Sequence, residues 1–166
     1  MNPATKLIAG LAIVAIGAFT AFLTTPQRIA PEARFATLGG ESFTTSDLRG
    51  KVTVVNFWAT WCPDCVREMP SMAERHRKFS GRGYEMIAVA VRDHPNRVAD
   101  FTQRTALPFK VAVDDTGAIS KQFGDIRITP TTFLIDKKGR VVRRYVGEPQ
   151  WEEFDRLVEK ALADPA

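Results

Sequence analysis

Thiols and imidazoles are scarce in this chain: its 166 residues include only two cysteines and two histidines. That scarcity narrows the chemistry. A structural zinc site takes about four nitrogen or sulfur ligands, and His76 and His94 stand apart without paired spacing. Blocks of like charge are also missing. The 23 Lys and Arg are scattered among 19 Asp and Glu, for a net charge of +4. The densest basic cluster, Arg75, Arg77 and Lys78, falls on a helical pattern and reads as a solvated face, so no nucleic-acid partner is expected. There is no internal repeat and no low-complexity tract. A composition 45% hydrophobic and 25% charged suits one globular domain with some length to spare.

The spare length is N-terminal. Leu7 to Leu23 is apolar and uncharged, preceded by Lys6 and followed by Pro26 and Arg28. Such a run is long enough for a short transmembrane helix, and positive charge on its leading side favours a cytoplasmic N-terminus. A cleaved signal peptide is the alternative. Its apolar core is usually ~7–15 residues and ends at an A-x-A-like site, which this segment lacks. The expected organisation is a cytoplasmic stub and signal-anchor helix over 1–25, a linker over 26–33, and one domain over 34–166. Either version exports the domain into a disulfide-permitting compartment. For the anchored version that means a single-pass inner-membrane protein with its domain on the periplasmic side.

What the chain does hold is a pair of thiols placed to meet. Val54-Val55-Asn56-Phe57-Trp58-Ala59-Thr60-Trp61 runs into Cys62-Pro63-Asp64-Cys65, and a helical pattern follows at once. Cys62 sits where that helix would begin, with Pro63 at the first position, where a missing N–H costs nothing. Cys65 lies three residues on, on the same face. A thiolate at Cys62 would meet free backbone N–H groups and the positive end of the helix dipole, which lowers a cysteine pKa from ~8.5 into the range of roughly 3.5–7.5. Thiolates attack disulfides, and a neighbouring thiol resolves the mixed disulfide. Cys62 is therefore expected to be the exposed nucleophile and Cys65 the inner, resolving thiol. A purely structural crosslink competes, but a loop this short removes little unfolded-state entropy.

Along the rest of the chain, Arg34–Leu38 and Ser42–Thr44 flank Gly39-Gly40 as a hairpin, and Ser46–Arg49 suggests a turn of helix. Strands are expected at Val52–Phe57, Tyr84–Val91, Phe109–Val113, Thr131–Asp136 and Arg140–Val146. Helices are expected at Pro63–Phe79 (kinked at Pro70), Pro95–Arg104 (capped by Asp93), Ala118–Phe123 and Gln150–Ala163. The early strand–helix alternation implies parallel strands with right-handed crossovers, and the late hairpin adds an antiparallel edge. The fold class is α/β, a mixed central sheet flanked by helices, with an N-terminal hairpin extension and an N-terminal transmembrane helix.

The combination of Asn56-Phe57-Trp58-Ala59-Thr60-Trp61-Cys62-x-x-Cys65, then Glu68 and Pro70, then Thr129-Pro130-Thr131-Thr132-Phe133-Leu134-Ile135-Asp136 and Gly139, resembles the thioredoxin-like fold. The closer resemblance, over residues 34–164, is to membrane-anchored thiol–disulfide oxidoreductases of the TlpA/ResA/CcmG type. It implies a cis peptide at Pro130 beside the active site, the alternative being a trans proline that starts a strand. The Thr129 backbone would then pair with a client chain by strand addition, with Trp61 and Pro63 on the same contact surface. Trp58 is expected in the core. Asn56 stands where ordinary thioredoxin has a buried acid, as is common in the anchored family, and leaves open which group accepts a proton from Cys65. Glu68 is the candidate, one turn after Cys65 on the same face. Otherwise it is a solvated glutamate answering nearby arginines. A peroxidatic cysteine is disfavoured, since a Thr or Ser three residues before it is required and that position is Ala59.

Together these features point to a dithiol that reduces client-protein disulfides, with no cofactor beyond the redox-active Cys62–Cys65 pair. Asp64 places a negative charge near Cys62, which opposes a stabilised thiolate and fits a reductant better than an oxidant. Family resemblance suggests clients in cytochrome c or oxidase maturation and a membrane electron donor of the DsbD or CcdA kind. A disulfide-donating oxidase is the alternative. A copper chaperone is a further one, although copper chaperones of this fold carry C-x-x-x-C and a placed histidine.

Overall fold

The computed structural model describes residues 28–166, and the expected transmembrane segment and the start of the linker lie outside them. Seven strands and four helices follow one another from Arg34. Strands β1 (Arg34–Ala36) and β2 (Ser42–Thr44) pair antiparallel with Phe35 opposite Phe43. A 3-10 turn over Ser46–Leu48 leads to β3 (Val52–Trp58), then α1 (Pro63–Phe79), β4 (Tyr84–Val91) and α2 (Pro95–Thr105). The remainder is β5 (Lys110–Asp114), α3 (Ala118–Gln122), β6 (Thr131–Ile135), β7 (Val141–Val146) and α4 (Trp151–Ala163).

Five strands make the central sheet in the order β5-β4-β3-β6-β7. β3–β4 and β4–β5 are parallel, while β3–β6 and β6–β7 are antiparallel, which gives the mixed sheet. β3 is central and buried along its whole length, so both of its faces must be apolar. Val52, Val54 and Trp58 pack with Met69, Met72, Phe79, Leu134, Phe154 and Val158 in one cluster. Val55 and Phe57 pack on the opposite side with Phe35, Ile87, Val89, Phe123 and Phe133. The alternation of a strand and the stripe of a helix thus meet in two cores.

Local chemistry explains several boundaries. β1 ends two residues earlier than the pattern of Arg34–Leu38 suggested, because Thr37 bridges to Ala112 and the Leu38 N–H donates to the Val111 carbonyl at 2.8 Å. The β1–β2 segment thereby covers the β5 edge. α1 runs through Pro70 without interruption to Phe79, and Gly83 turns the chain at φ 84 into β4. α2 is capped by His94 rather than by Asp93: the His94 ring Nδ1 accepts from the Asn96 N–H at 3.3 Å. Buried Asp114 accepts from the Ile119 and Ser120 N–H groups at 3.0 and 2.8 Å and so starts α3.

Candidate functional site

The site forms where β3 runs out. After Trp58 the chain crosses Ala59-Thr60-Trp61 and enters α1, with Cys62 as its N-cap in extended backbone and Pro63 at the first helical position. The Cys65 N–H points at Cys62 Sγ, 3.3 Å away. That hydrogen bond and the helix dipole would both favour a thiolate on Cys62. Cys62 and Cys65 are joined in a disulfide with Cα atoms 5.3 Å apart. Cys65 is fully buried. Cys62 is the outer sulfur but only 6% exposed, less than the sequence led one to expect.

Sheet topology supplies the second wall. β6 lies beside β3 with Thr131 opposite Phe57, so the loop before β6 reaches the mouth of α1. The Thr129–Pro130 bond is cis, and the Thr129 carbonyl stands 3.7 Å from Cys62 Sγ, part of the cover over that sulfur. Around this spot Trp61 and Ile128 are 51% and 61% exposed, two large apolar side chains left facing outward. Trp58 is buried against Phe101 with ring centroids 5.2 Å apart, as a core residue should be.

Below the disulfide is a buried polar group. Glu68 has no exposed surface, so it is not the solvated helix glutamate that competed for this position. Asn56 Nδ2 donates to Glu68 Oε1 at 2.9 Å and to Thr132 Oγ1 at 2.9 Å. Glu68 Oε2 and Asn56 Oδ1 have no partner. Burial pushes the Glu68 carboxyl up to about 8 against the lowering effect of the Asn56 hydrogen bond. A carboxyl so placed exchanges a proton near neutral pH, which is what a proton shuttle needs. Thr132 escaped sequence reasoning. The signal for it was pairing register: β6 sets Thr132 directly opposite Asn56.

Charge around the outer sulfur is mixed. Asp64 is paired with Arg67 at 2.8 Å, both well exposed, and Arg67 also lies 3.8 Å from Glu148. The pairing softens, without cancelling, the negative charge that Asp64 sets beside Cys62. Among the described residues no three His, Cys, Asp or Glu side chains converge as a metal-ligand set.

The chain is similar to known proteins in sequence and fold. The protein-family model described as Redoxin matches residues 25–162. A thiol–disulfide oxidoreductase ResA from Bacillus thuringiensis subsp. konkukian is 37% identical over 131 residues, covering 79% of this chain and 75% of that one. A thiol:disulfide interchange protein of the thioredoxin family from Chlorobium tepidum superposes with a TM-score of 0.75 at 30% identity, over 84% of this chain and 99% of that one. A candidate thiol:disulfide interchange protein DsbE from the same organism gives a TM-score of 0.76 at 28% identity, over 82% and 97%.

Proposed function

The chain belongs to the redoxin family and is a thioredoxin-like thiol–disulfide oxidoreductase of the TlpA/ResA/CcmG type, and on that premise we propose that it is a membrane-tethered, extracytoplasmic reductant of client-protein disulfides. The observation that carries the direction of electron flow is the buried Glu68 with its unpaired Oε2 in the helix that bears the dithiol. Asp64 sets negative charge beside Cys62, and Glu68 adds its own only in the fraction that ionises; both oppose a thiolate on the cysteines. A strong oxidant needs the reverse, a stabilised reduced form.

In the dithiol state the Cys62 thiolate attacks one client sulfur, forms a Cys62–client disulfide and expels the other client sulfur as thiolate. In the minor fraction of molecules where Glu68 is ionised at neutral pH, Cys65 passes its proton to that carboxylate and attacks Cys62 Sγ, which breaks the mixed disulfide and releases the second client thiolate. Glu68 returns the proton through water to a client thiolate. Two electrons move from the dithiol to the client, and the Cys62–Cys65 disulfide remains. Trp61, Pro63, Thr129 and Pro130 form the client contact, with the Thr129 carbonyl available to an incoming extended chain. A membrane electron donor of the DsbD or CcdA kind then restores the dithiol. The segment Leu7–Leu23 anchors the protein in the inner membrane, and the clients are disulfides of cytochrome c or oxidase maturation.

Trapping tests this. Full-length Cys65→Ala, expressed in its host and quenched with acid, should accumulate a mixed disulfide that reducing agent dissolves. Cys62→Ala should accumulate none. Equal adducts in both variants, or none in either, would remove the proposed mechanism.

A further inference from the structure

The two residues that follow β4 touch both walls of the disulfide site without touching sulfur. Arg92 holds a left-handed backbone at φ 51, a conformation that an arginine keeps only when its surroundings enforce it. Its carbonyl accepts from Trp61 Nε1 at 3.1 Å, and its own Nη2 donates to the Arg127 carbonyl at 3.0 Å. Arg127 stands two residues before Thr129, at the root of the loop that carries exposed Ile128 and cis Pro130. Asp93 completes the arrangement. Its side chain has no exposed surface. Oδ2 accepts from the Thr60 N–H and from Thr60 Oγ1, each at 2.6 Å, while Oδ1 accepts from the His94 N–H at 2.8 Å and Arg97 Nε at 3.1 Å. Burial pushes the Asp93 carboxyl up, but the Thr60 and His94 hydrogen bonds and the Arg97 charge outweigh it and hold the group below its ordinary value. The carboxylate form is therefore the favoured acceptor for these four hydrogen bonds.

We propose that Arg92 and Asp93 form a clamp that fixes the spacing between the Trp61 wall and the Ile128–Pro130 wall, and that they are positioning residues for client chains. Asp93 anchors the loop before Cys62 at Thr60, and Arg92 ties Trp61 on one side to Arg127 on the other. A client chain that pairs with Thr129 must fit between these walls, so their spacing acts on polypeptide disulfides. Small disulfides need no such gap. The clamp rests on the proposed reduction of client proteins. It adds a specificity device that the two cysteines and Glu68 do not supply.

The test follows single turnovers of the full-length reduced protein in detergent micelles, with a short synthetic peptide holding one intramolecular disulfide, or oxidised glutathione, in excess, so that KM and kcat stand for the half-saturating concentration and the maximal single-turnover rate. Arg92→Gly is the informative variant. Glycine accepts the left-handed backbone and keeps the carbonyl for Trp61, so only the tie to Arg127 is lost. Its KM for the peptide should rise about five-fold, the loss expected for one net hydrogen bond, with kcat within about two-fold. Preference for peptide over glutathione should fall by the same factor. Arg92→Lys, which can still donate to the Arg127 carbonyl, should recover most of it. Asp93→Asn, which cannot accept both Thr60 bonds and the His94 bond, should have the larger effect. An unchanged KM in Arg92→Gly, or a parallel loss with peptide and glutathione, would overturn the clamp. Wild-type protein inert towards the peptide would instead bring down the client-reductant function itself, and the clamp with it.

Discussion

Replacing Glu68 by Gln should change how stability depends on pH, in a direction that the structure fixes. Burial raises the Glu68 carboxyl from its ordinary 4.5 to about 8 in the folded protein. The folded state then binds a proton more tightly than the unfolded chain. The contribution of Glu68 is therefore fully present below about pH 4.5, declines as pH rises, and is lost above about pH 8. At about 1.4 kcal/mol per pH decade, the upper limit over that window is on the order of 5 kcal/mol, and water entry on ionisation brings the expected change to about 3 kcal/mol. Gln fills the same space, keeps an oxygen for Asn56 Nδ2 and does not ionise. The assay is urea denaturation of the oxidised proteins between pH 5 and 9, where the disulfide removes thiol titration. Burial lowers the His76 pKa, so that residue adds stability as pH rises towards its unfolded value. It does so equally in both proteins and cancels in the difference. Glu68→Gln should gain on wild type by about 3 kcal/mol from pH 5 to 9. A difference that stays flat with pH would refute a buried, proton-holding Glu68.

Three further outcomes follow from the same geometry. Asn56→Ala removes the donor shared by Glu68 and Thr132. It should cost about 1–3 kcal/mol in urea unfolding at pH 5 and push the Glu68 carboxyl further up, visible in carboxyl chemical shifts against pH. In single-turnover quenched flow, Glu68→Gln should slow resolution of the Cys62 mixed disulfide by about 10²-fold, the lower end for a lost acid–base group, while the first attack by Cys62 stays close to wild type. Asp114→Ala deletes the two side-chain caps of α3 and should lower stability by about 1–2 kcal/mol, read by thermal unfolding.

The dithiol and its helix were legible because one short segment encodes them: the end of a strand, an N-cap cysteine, Pro63, and a second cysteine one turn on. The order of β3, α1 and β4 followed for the same reason, since period 2 gives way to period 3.6 within a few residues. Burial of Glu68 was not legible. Helical spacing puts it on the Cys65 face, but what covers it is Asn56 from β3 and Thr132 from β6, a residue 76 positions from Asn56. The role of Asp93 was misread for a related cause. An aspartate two residues before Pro95 looks like a cap, yet Thr60, on the loop after β3, offers it two donors, and His94 takes the cap instead. Likewise β1 stops at Ala36 because its next residues turn to pair with β5, a contact no local pattern records. Local chemistry read true, and side chains whose partners come from distant strands did not.

The reduction potential tests most directly the direction in which Cys62 and Cys65 pass electrons. The protein would be equilibrated in glutathione or dithiothreitol buffers, with tryptophan fluorescence from Trp58 and Trp61 reporting the state of the disulfide. A potential at or below about −220 mV is the expected result and places it among reductants of client disulfides. A potential near about −120 mV would make it a disulfide donor and contradict the assigned roles of Asp64 and Glu68.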